Sequence, residues 1–162
     1  MCYVYRRIRK KIHKNIFIMN IKQIPAITIH QPWAELIIKE KKQIEVRRWF
    51  TDYRGSVLLH VGRKTDEYAA KIYNMSNMFH GGYIGILEIS AIVPFDEDRW
   101  INWKDKHKDL GNYQSGLFAW IISNVKRFEF PVMGPGQQGL FYPDQQKINE
   151  ILNLNPDFKN GW

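Results

Sequence analysis

The sequence of 162 residues contains one cysteine, Cys2, so it cannot form an intramolecular disulfide bond. Its five histidines are scattered, and they provide no short ligand spacing for a tetrahedral zinc site. These two absences favour a reducing, cytoplasmic setting and predict no metal site. No run approaches the roughly 18 consecutive apolar residues of a transmembrane helix, so we expect no membrane span.

The signatures of several large enzyme classes are also missing. The sequence has no phosphate-binding glycine loop of the nucleotide-hydrolase type, no Gly-x-Ser-x-Gly and no dinucleotide fingerprint. It therefore implies no cofactor. The 44% of apolar residues, with only 11 glycines and 7 prolines, exclude global disorder and collagen-like architectures. A chain of this length is sufficient for one domain with a large core.

Acidic residues are absent from the first 20 positions, which we call the basic leader. Its six cations supply +6 of the net charge of +8, so the other 142 residues carry only about +2. Interleaved apolar residues are compatible with an amphipathic helix that makes weak contact with a membrane surface or a phosphate backbone. The alternatives are a disordered tail or translated sequence upstream of a start at Met19. We predict a leader over residues 1–20 and one domain over residues 21–162.

The rest of the chain alternates short apolar runs with turns, which is typical of a mainly β protein. Pro32 predicts the start of a helix, and the segment 65–67 predicts the cap of a second one. Residues 94–116 have no clear period and are predicted to be a long excursion with one helical turn, and 134–139 to be a tight loop. The predicted strands are 24–29, 41–49, 56–61, 83–93, 117–125 and 128–132. We expect an α+β fold, mainly β, with a small barrel of five to six strands and one to three flanking helices.

A spaced set of residues within 24–143 resembles the ASCH domain family of the PUA-like superfamily. The first half of the set is Gln31-Pro32-Trp33-Ala34, Leu36-Ile37, Lys42, Glu45, Arg47, Trp49, Thr51, Tyr53-Arg54-Gly55 and His60. The second half is Gly85-Ile86, Glu88, Phe118-Ala119-Trp120, Ser123-Asn124 and the segment from Gly134 to Phe141. The resemblance implies a PUA-like β-barrel that binds RNA or another nucleic acid in a cleft beside the first helix. Glu40 stands where the family usually has glycine, so the helix is expected to end differently here.

The residue types of the motif fit a nucleic-acid ligand without the family name. Lys42 is a mobile donor suited to a phosphate, and three arginines offer planar forks for phosphates or base edges. Glu45 can accept hydrogen bonds from a base amino group or orient Lys42 and an arginine. Tryptophan rings can stack on an unpaired base. The predicted nucleic-acid-binding residues are Gln31, Trp33, Lys42, Glu45, Arg47, Arg48, Trp49, Tyr53 and Arg54.

Each of these residues also has a purely structural interpretation. Trp33 and Trp120 lie in apolar surroundings, which favours core positions for both. Lys42 and Glu45 can be an ordinary ion pair. Glu88 is a lone carboxylate in an apolar strand, and we predict that it faces the cleft because a buried carboxylate needs a partner.

Two other function classes remain open at this stage. The first is a metal-independent hydrolase of RNA or a modified nucleoside that uses Lys42, Glu45 and Glu88 for acid–base chemistry. The amidohydrolase relatives have threonine three residues after the lysine; Glu45 occupies that position here, so the implied nucleophile is missing. The second is a protein-interaction domain that docks an unknown partner through Trp100 and Trp103, which exposed rings would favour.

Overall fold

Six strands form one sheet within residues 24–160, the part of the chain that the computed structural model describes. The strand order is β2-β5-β4-β3-β1-β6. The pairing of β1 with β3 is parallel, and the other pairings are antiparallel. The strands are β1 (Ala26–Gln31), β2 (Ile44–Arg47), β3 (Gly55–Thr65), β4 (Gly82–Phe95), β5 (Leu117–Met133) and β6 (Leu140–Phe141).

Five α-helices and one 3-10 helix accompany the sheet in this part of the chain, more helices than the sequence predicts. The helices are α1 (Trp33–Ile38), α2 (Glu67–Ile72), α3 (Glu97–Asn102), α4 (Lys104–His107), α5 (Gln145–Leu154) and the 3-10 helix Pro156–Asn160. The predicted cap of α2 is confirmed, because the Asp66 side chain accepts a hydrogen bond from the Ala69 amide. The unpredicted α5 begins in the same way at Asp144. The mainly β, α+β fold class is confirmed.

The barrel is open between its edge strands β2 and β6. Only Ala26 and Ile27 of β1 pair with β6, so the Thr28 carbonyl lies beyond the end of that ladder. Nη2 of Arg47, at the end of β2, donates a hydrogen bond of 2.8 Å to this carbonyl. A side chain therefore bridges the gap that no strand pairing closes among the described residues.

Three apolar clusters hold the elements together. The first fills the barrel and packs against α1; it includes Ile27, Ile29 and Trp120. The second lies on the opposite face of β1, β3 and β4 and is covered by α5 and the 3-10 helix. The third packs α3 and the segment before it on β2 and β5, around Phe95 and Trp100. Alternate residues of one strand thus serve different clusters, as the period of two requires.

Two local predictions are wrong. The segments 117–125 and 128–132 are one strand, β5, in which register shifts and a left-handed Asn124 (φ 46°) absorb the irregular stretch. Helix α1 ends in the way that it would with glycine at position 40. Glu40 itself adopts the left-handed conformation, with φ 57°. The basic leader lies outside the described residues.

Candidate functional site

A cleft of about 1010 Å³ lies over the gap between β2 and β1. Its walls come from β1, from β2 and the residues just after it, from β3, and from the loop 134–139, which we call the glycine loop. No residue of α1 is among those that line it. The lining residues are Thr28, His30, Arg47, Trp49, His60, Gly62, Arg63, Lys64, Gly81, Gly134, Pro135, Gly136, Gln137, Gln138 and Gly139.

The alternation of β1 explains why polar groups reach this cleft. Ile27 and Ile29 point into the barrel core, so Thr28 and His30 point to the other face. The absence of a side chain at Gly62 lets His30 lie across β3, because a Cβ there would be 2.2 Å from His30 Nδ1. Thr28 pairs with His60 of β3. The sequence Ile-Thr-Ile-His thus builds core and site from the same strand.

His60 forms the floor of the cleft and anchors the glycine loop. Its Nε2 donates a hydrogen bond of 3.0 Å to the Gly134 carbonyl, and its Nδ1 lies 3.2 Å from the Thr28 hydroxyl. Gly136 packs directly on the ring, since a Cβ at that position would be 2.3 Å from Cε1. Burial lowers the pKa of His60, while the bond to the Gly134 carbonyl raises it. The ring therefore remains neutral near pH 7.

Carbonyl groups tie the rest of the glycine loop to the fold. The Thr28 hydroxyl donates to the Gln137 carbonyl at 3.0 Å, and the Tyr83 hydroxyl donates to the Pro135 carbonyl at 3.2 Å. Lys147 of α5 donates to the Met133 carbonyl just before the loop. Three strands and one helix thus fix the loop over the cleft, through these bonds and that of His60. These hydrogen bonds hold the glycine loop in place as one wall of the cleft.

The charge along the cleft is positive. Arg47, Arg63 and Lys64 line it, and none of the described lining residues is a carboxylate. Partial burial lowers the pKa of His30, and the positive charges of Lys64 and Arg47 lower it further, against the opposing effect of Glu45. Lys64 and Arg47 thus both lie close enough to His30 to act on its charge, and Arg63 is the third cation of the lining.

Trp49 supplies an aromatic surface at this cleft. The ring is half-buried and meets Trp120 edge to face, with ring centroids 4.5 Å apart and an interplanar angle of 76°. Trp120 is buried in the barrel core and donates from Nε1 to the Trp49 carbonyl at 3.4 Å. Trp120 therefore fixes the position of Trp49, and one part of the Trp49 ring faces the cleft.

Lys42 is not the mobile donor that the sequence predicts. Its side chain is 3% exposed, and Nζ donates a hydrogen bond of 2.6 Å to the His107 carbonyl at the end of α4. The same Nζ lies 3.6 Å from Glu45 and 5.3 Å from the centre of the Trp33 ring. Burial lowers the pKa of Lys42, against the opposing charge of Glu45. Lys42 therefore links the turn after α1 to the end of α4.

Glu45 links this buried lysine to the cleft. Its second carboxylate oxygen lies 3.2 Å from Nε of Arg47, without the geometry of a hydrogen bond. The charges therefore form a chain from Lys42 through Glu45 to Arg47. Arg47 is the member of that chain that lines the cleft. Glu45 thus lies between Lys42 and Arg47, and its role in orienting these basic groups stays a prediction.

The other predicted binding residues lie away from the cleft and have structural contacts. Gln31 is buried, donates to the Phe79 carbonyl, and accepts from the Glu35 amide in the first turn of α1. Arg48 bonds to Gln114, and the Tyr53 hydroxyl donates to the Ser56 carbonyl. Arg54 donates to three main-chain carbonyls, those of Thr51, Tyr53 and Ile92.

Glu88 lies on the opposite side of its strand from the barrel interior. Its neighbours Leu87 and Ile89 point inward, so Glu88 points outward, where it accepts a hydrogen bond from Asn124. Glu88 is not among the residues that line the cleft, so the prediction that it faces the cleft is wrong. The structure brings Lys42 and Glu45 together, with Glu45 on the barrel interior, whereas Glu88 lies on the outer side of β4.

The aromatic excursion is packed rather than displayed. Trp100 is buried and Trp103 is half-buried, and both pack against Phe95. This packing does not favour the docking of a protein partner through these two rings. In residues 24–160, no three potential ligands of the His, Cys, Asp and Glu types are grouped to hold a metal ion. No helix there is long and apolar enough to span a membrane.

Sequence reasoning missed the part of the cleft that comes from β3 and the glycine loop. Arg63 and Lys64 are two adjacent cations at the end of a strand, and the glycine loop carries Gln137 and Gln138 between glycines. Both segments can be recognised in the sequence, the first as a pair of cations and the second as a glycine-rich stretch. What the sequence did not reveal is that the fold brings these two segments into the lining of the same cleft as Arg47.

Comparison with known proteins agrees with this architecture. The sequence model of the ASCH domain matches residues 27–132. The human protein Activating signal cointegrator 1 is 21% identical over 119 residues, which cover 67% of this chain and 20% of that protein. The chain thus spans about a fifth of the length of that relative.

Two solved structures from Zymomonas mobilis share the fold. The crystal structure of an ASCH protein superimposes with a TM-score of 0.58 at 15% identity, covering 82% of this chain and 96% of that one. A mutant of the same protein gives the same score and identity, with coverages of 82% and 98%. At these identities the likeness establishes the fold.

Proposed function

The chain belongs to the ASCH domain family, and from that premise we propose that it binds nucleic acid by holding an unpaired base of single-stranded RNA in the cleft under the glycine loop. One observation supports this most strongly. An aromatic ring, Trp49, and three cations line the same preformed cleft, whose described lining contains no carboxylate. Single-stranded RNA is recognised by this combination of stacking and phosphate contacts.

The position of Arg47 at the cleft favours the binding of a polyanion. Nη2 is engaged with the Thr28 carbonyl, while Nε is buried without a hydrogen-bond partner among the described residues. The side chain is therefore fixed at the mouth of the barrel gap. A fixed guanidinium loses little conformational entropy when it binds a ligand.

The glutamines of the glycine loop supply groups that can read a base edge. Gln137 and Gln138 are exposed and line the same cleft as Arg63 and Lys64. A side-chain amide carries both a donor and an acceptor, as the edge of a base does. RNA bases splayed from their stack would meet Trp49 with one face and this loop with one edge.

Titration of a short single-stranded RNA against the full chain tests the proposal. Fluorescence anisotropy should show saturable binding that weakens as salt rises, because phosphate contacts release counterions. Trp49→Leu should weaken binding, and Trp103→Leu, a matched change in the third cluster, should leave it unchanged. Equal affinities of the two variants would contradict the assignment of the cleft.

A metal-independent hydrolase is the second candidate, and one observation favours it. Burial lowers the pKa of Lys42, whose Nζ lies 3.6 Å from Glu45, and a lysine of lowered pKa can act as a base. The geometry supports it less well than binding, because Lys42 is enclosed and Glu88 is on another face. Incubation of labelled RNA with the protein, followed by gel analysis, separates the two: intact RNA in the complex supports the binding module.

A further inference from the structure

Four main-chain amides of the glycine loop, those of residues 136–139, are not used as donors within the described fold. The carbonyls of Gly134, Pro135 and Gln137 are engaged by side chains from the fold. Within the part of the chain that the structure describes, the amides of residues 136–139 donate to no partner. All four residues line the cleft. A row of free amides beside cations is the arrangement that binds oxyanions in proteins.

Arg63 stands next to the start of this row. Its side chain lies beside Gly81, where a Cβ would be 3.8 Å from Arg63 Cγ. The Gly81 carbonyl in turn accepts the amide of Gly134 at 3.0 Å. Lys64 follows Arg63 in the chain, lines the cleft, and lies close enough to His30 to act on its charge. Arg63 and Lys64 form no ion pair with another described residue.

Tyr83 holds one carbonyl of the loop. Burial raises the pKa of Tyr83 to about 12, so its hydroxyl remains a donor to the Pro135 carbonyl. Gly136 is in contact with the His60 ring, which leaves no room for a side chain there. The amides are therefore held in place before a ligand arrives, and a preorganised receptor binds an anion more tightly than a flexible one.

We propose that the amides of residues 136–139, with Arg63 and Lys64, form a receptor for a phosphate group. The inference rests on the proposed function and refines it: the cleft takes a nucleotide by its phosphate, with the base toward Trp49. The phosphate then accepts several charge-assisted hydrogen bonds that a nucleoside cannot make, and these bonds increase the affinity of the nucleotide. A free phosphate ion has the same chemistry, so the test must separate the two sources.

The test compares three probes on the full chain: inorganic phosphate, the four ribonucleoside 5′-monophosphates, and the four nucleosides. Amide resonances followed by heteronuclear NMR report where each probe binds. We expect the resonances of residues 136–139 to shift saturably with phosphate. We also expect the preferred nucleotide to bind at least about tenfold more tightly than its nucleoside.

A pair of double variants supplies the control. Arg63→Ala with Lys64→Ala should reduce the affinity of the nucleotide to that of the nucleoside. Lys41→Ala with Lys71→Ala removes the same charge from exposed positions outside the cleft and should change nothing. The measurement on the unaltered protein stands even if a variant fails to fold.

The outcomes distinguish this receptor from the proposed function. Equal binding of nucleotide and nucleoside would overturn the receptor and leave base recognition intact. Equal binding of phosphate and nucleotide would support the receptor and contradict base recognition. No saturable binding of any probe would overturn both.

Discussion

Arg47 donates a hydrogen bond of 2.8 Å from Nη2 to the main-chain carbonyl of Thr28, and this bond joins β2 to β1 across the open side of the barrel. The same guanidinium lines the cleft. The Arg47 side chain therefore bridges the open side of the barrel and also lines the cleft in which we propose that the ligand binds. Stability and binding are coupled at this residue, and substitutions there should affect both.

Arg47→Lys should cost stability and affinity together. Lysine has its donors on one nitrogen, so it cannot keep the bond to the Thr28 carbonyl in place and also offer a ligand a second donor fixed in the same plane. We expect the free energy of unfolding to fall by about 1.5–3 kcal/mol. Urea unfolding measures it, and Arg48→Lys, a neighbour outside the cleft, is the control. Unchanged stability would mean that the Thr28 bond does not hold the gap.

Lys42→Met should destabilise the protein without changing the affinity for RNA. The substitution removes the bond to the His107 carbonyl and leaves Glu45 with Arg47 as its partner. We expect a loss of about 1.5–3 kcal/mol in urea unfolding, and an RNA affinity of the folded protein within about twofold of the original. A stable variant that has lost binding would instead return Lys42 to the functional site.

Glu40→Gly should stabilise the protein. Glu40 has a φ of 57°, where a residue with a Cβ is strained and glycine is not. We expect a gain of about 1 kcal/mol in the free energy of unfolding. Lys39→Gly is the matched control, because Lys39 has a φ of −90° and glycine there brings only added chain entropy. Loss of stability in both variants would contradict this account.

Stability should fall as pH falls below the usual pKa of histidine. Burial lowers the pKa of His107, against the bond to the Trp100 carbonyl, and Lys42 and Lys104 lower it further. The unfolded chain therefore binds its proton at a higher pH than the folded chain. The stability given by the neutral ring is present above about pH 6.5 and is lost as pH falls toward the lowered value.

Thermal unfolding at about pH 7.5 and about pH 5.5 measures this effect. His60 adds to it with the same sign, since burial lowers its pKa as well. His107→Gln should be less stable than the original at the higher pH and should show a smaller change between the two. An identical pH dependence of both proteins would show that His107 does not contribute.

Gly136→Ala should impair the cleft and spare the fold. A Cβ at this position would lie 2.3 Å from His60 Cε1, so the glycine loop must move outward. We expect weaker RNA binding and a small change in melting temperature. Gly111→Ala is the control, because its Cβ would meet only the Asp109 side chain at 3.3 Å. Full affinity in Gly136→Ala would show that the loop is not part of the site.

The helices and strands could be predicted from the sequence where the signal lies in neighbouring residues. Short apolar runs bounded by turns predict β1, β3 and β4 to within a few residues, and Asp66 predicts the start of α2. Helix α5 was missed although Asp144 and the spacing of Ile148, Ile151 and Leu152 are ordinary helix signals. The course of β5 was not predictable, because the bulges that keep it continuous depend on its pairing with β4.

The site could be predicted only in part, for a physical reason. Arg47 and Trp49 follow from their position in the motif, and both line the cleft. The burial of Lys42 could not be predicted in this way, because a lysine next to charged residues in the sequence is expected to be exposed. Only the packing of α4 over the turn after α1 shows that its ammonium is enclosed. Contacts between elements far apart in the chain decide which charges remain accessible.

The most direct test of the central claim is RNA binding by the full chain with two residues of the cleft changed together. Arg47→Lys with Trp49→Leu is compared with Arg48→Lys and Trp103→Leu, by anisotropy at two salt concentrations, with folding of both proteins verified. The basic leader is the same in each. A large loss of affinity confined to the cleft pair is the predicted result. Equal affinity of the two proteins would contradict the claim that the cleft binds RNA.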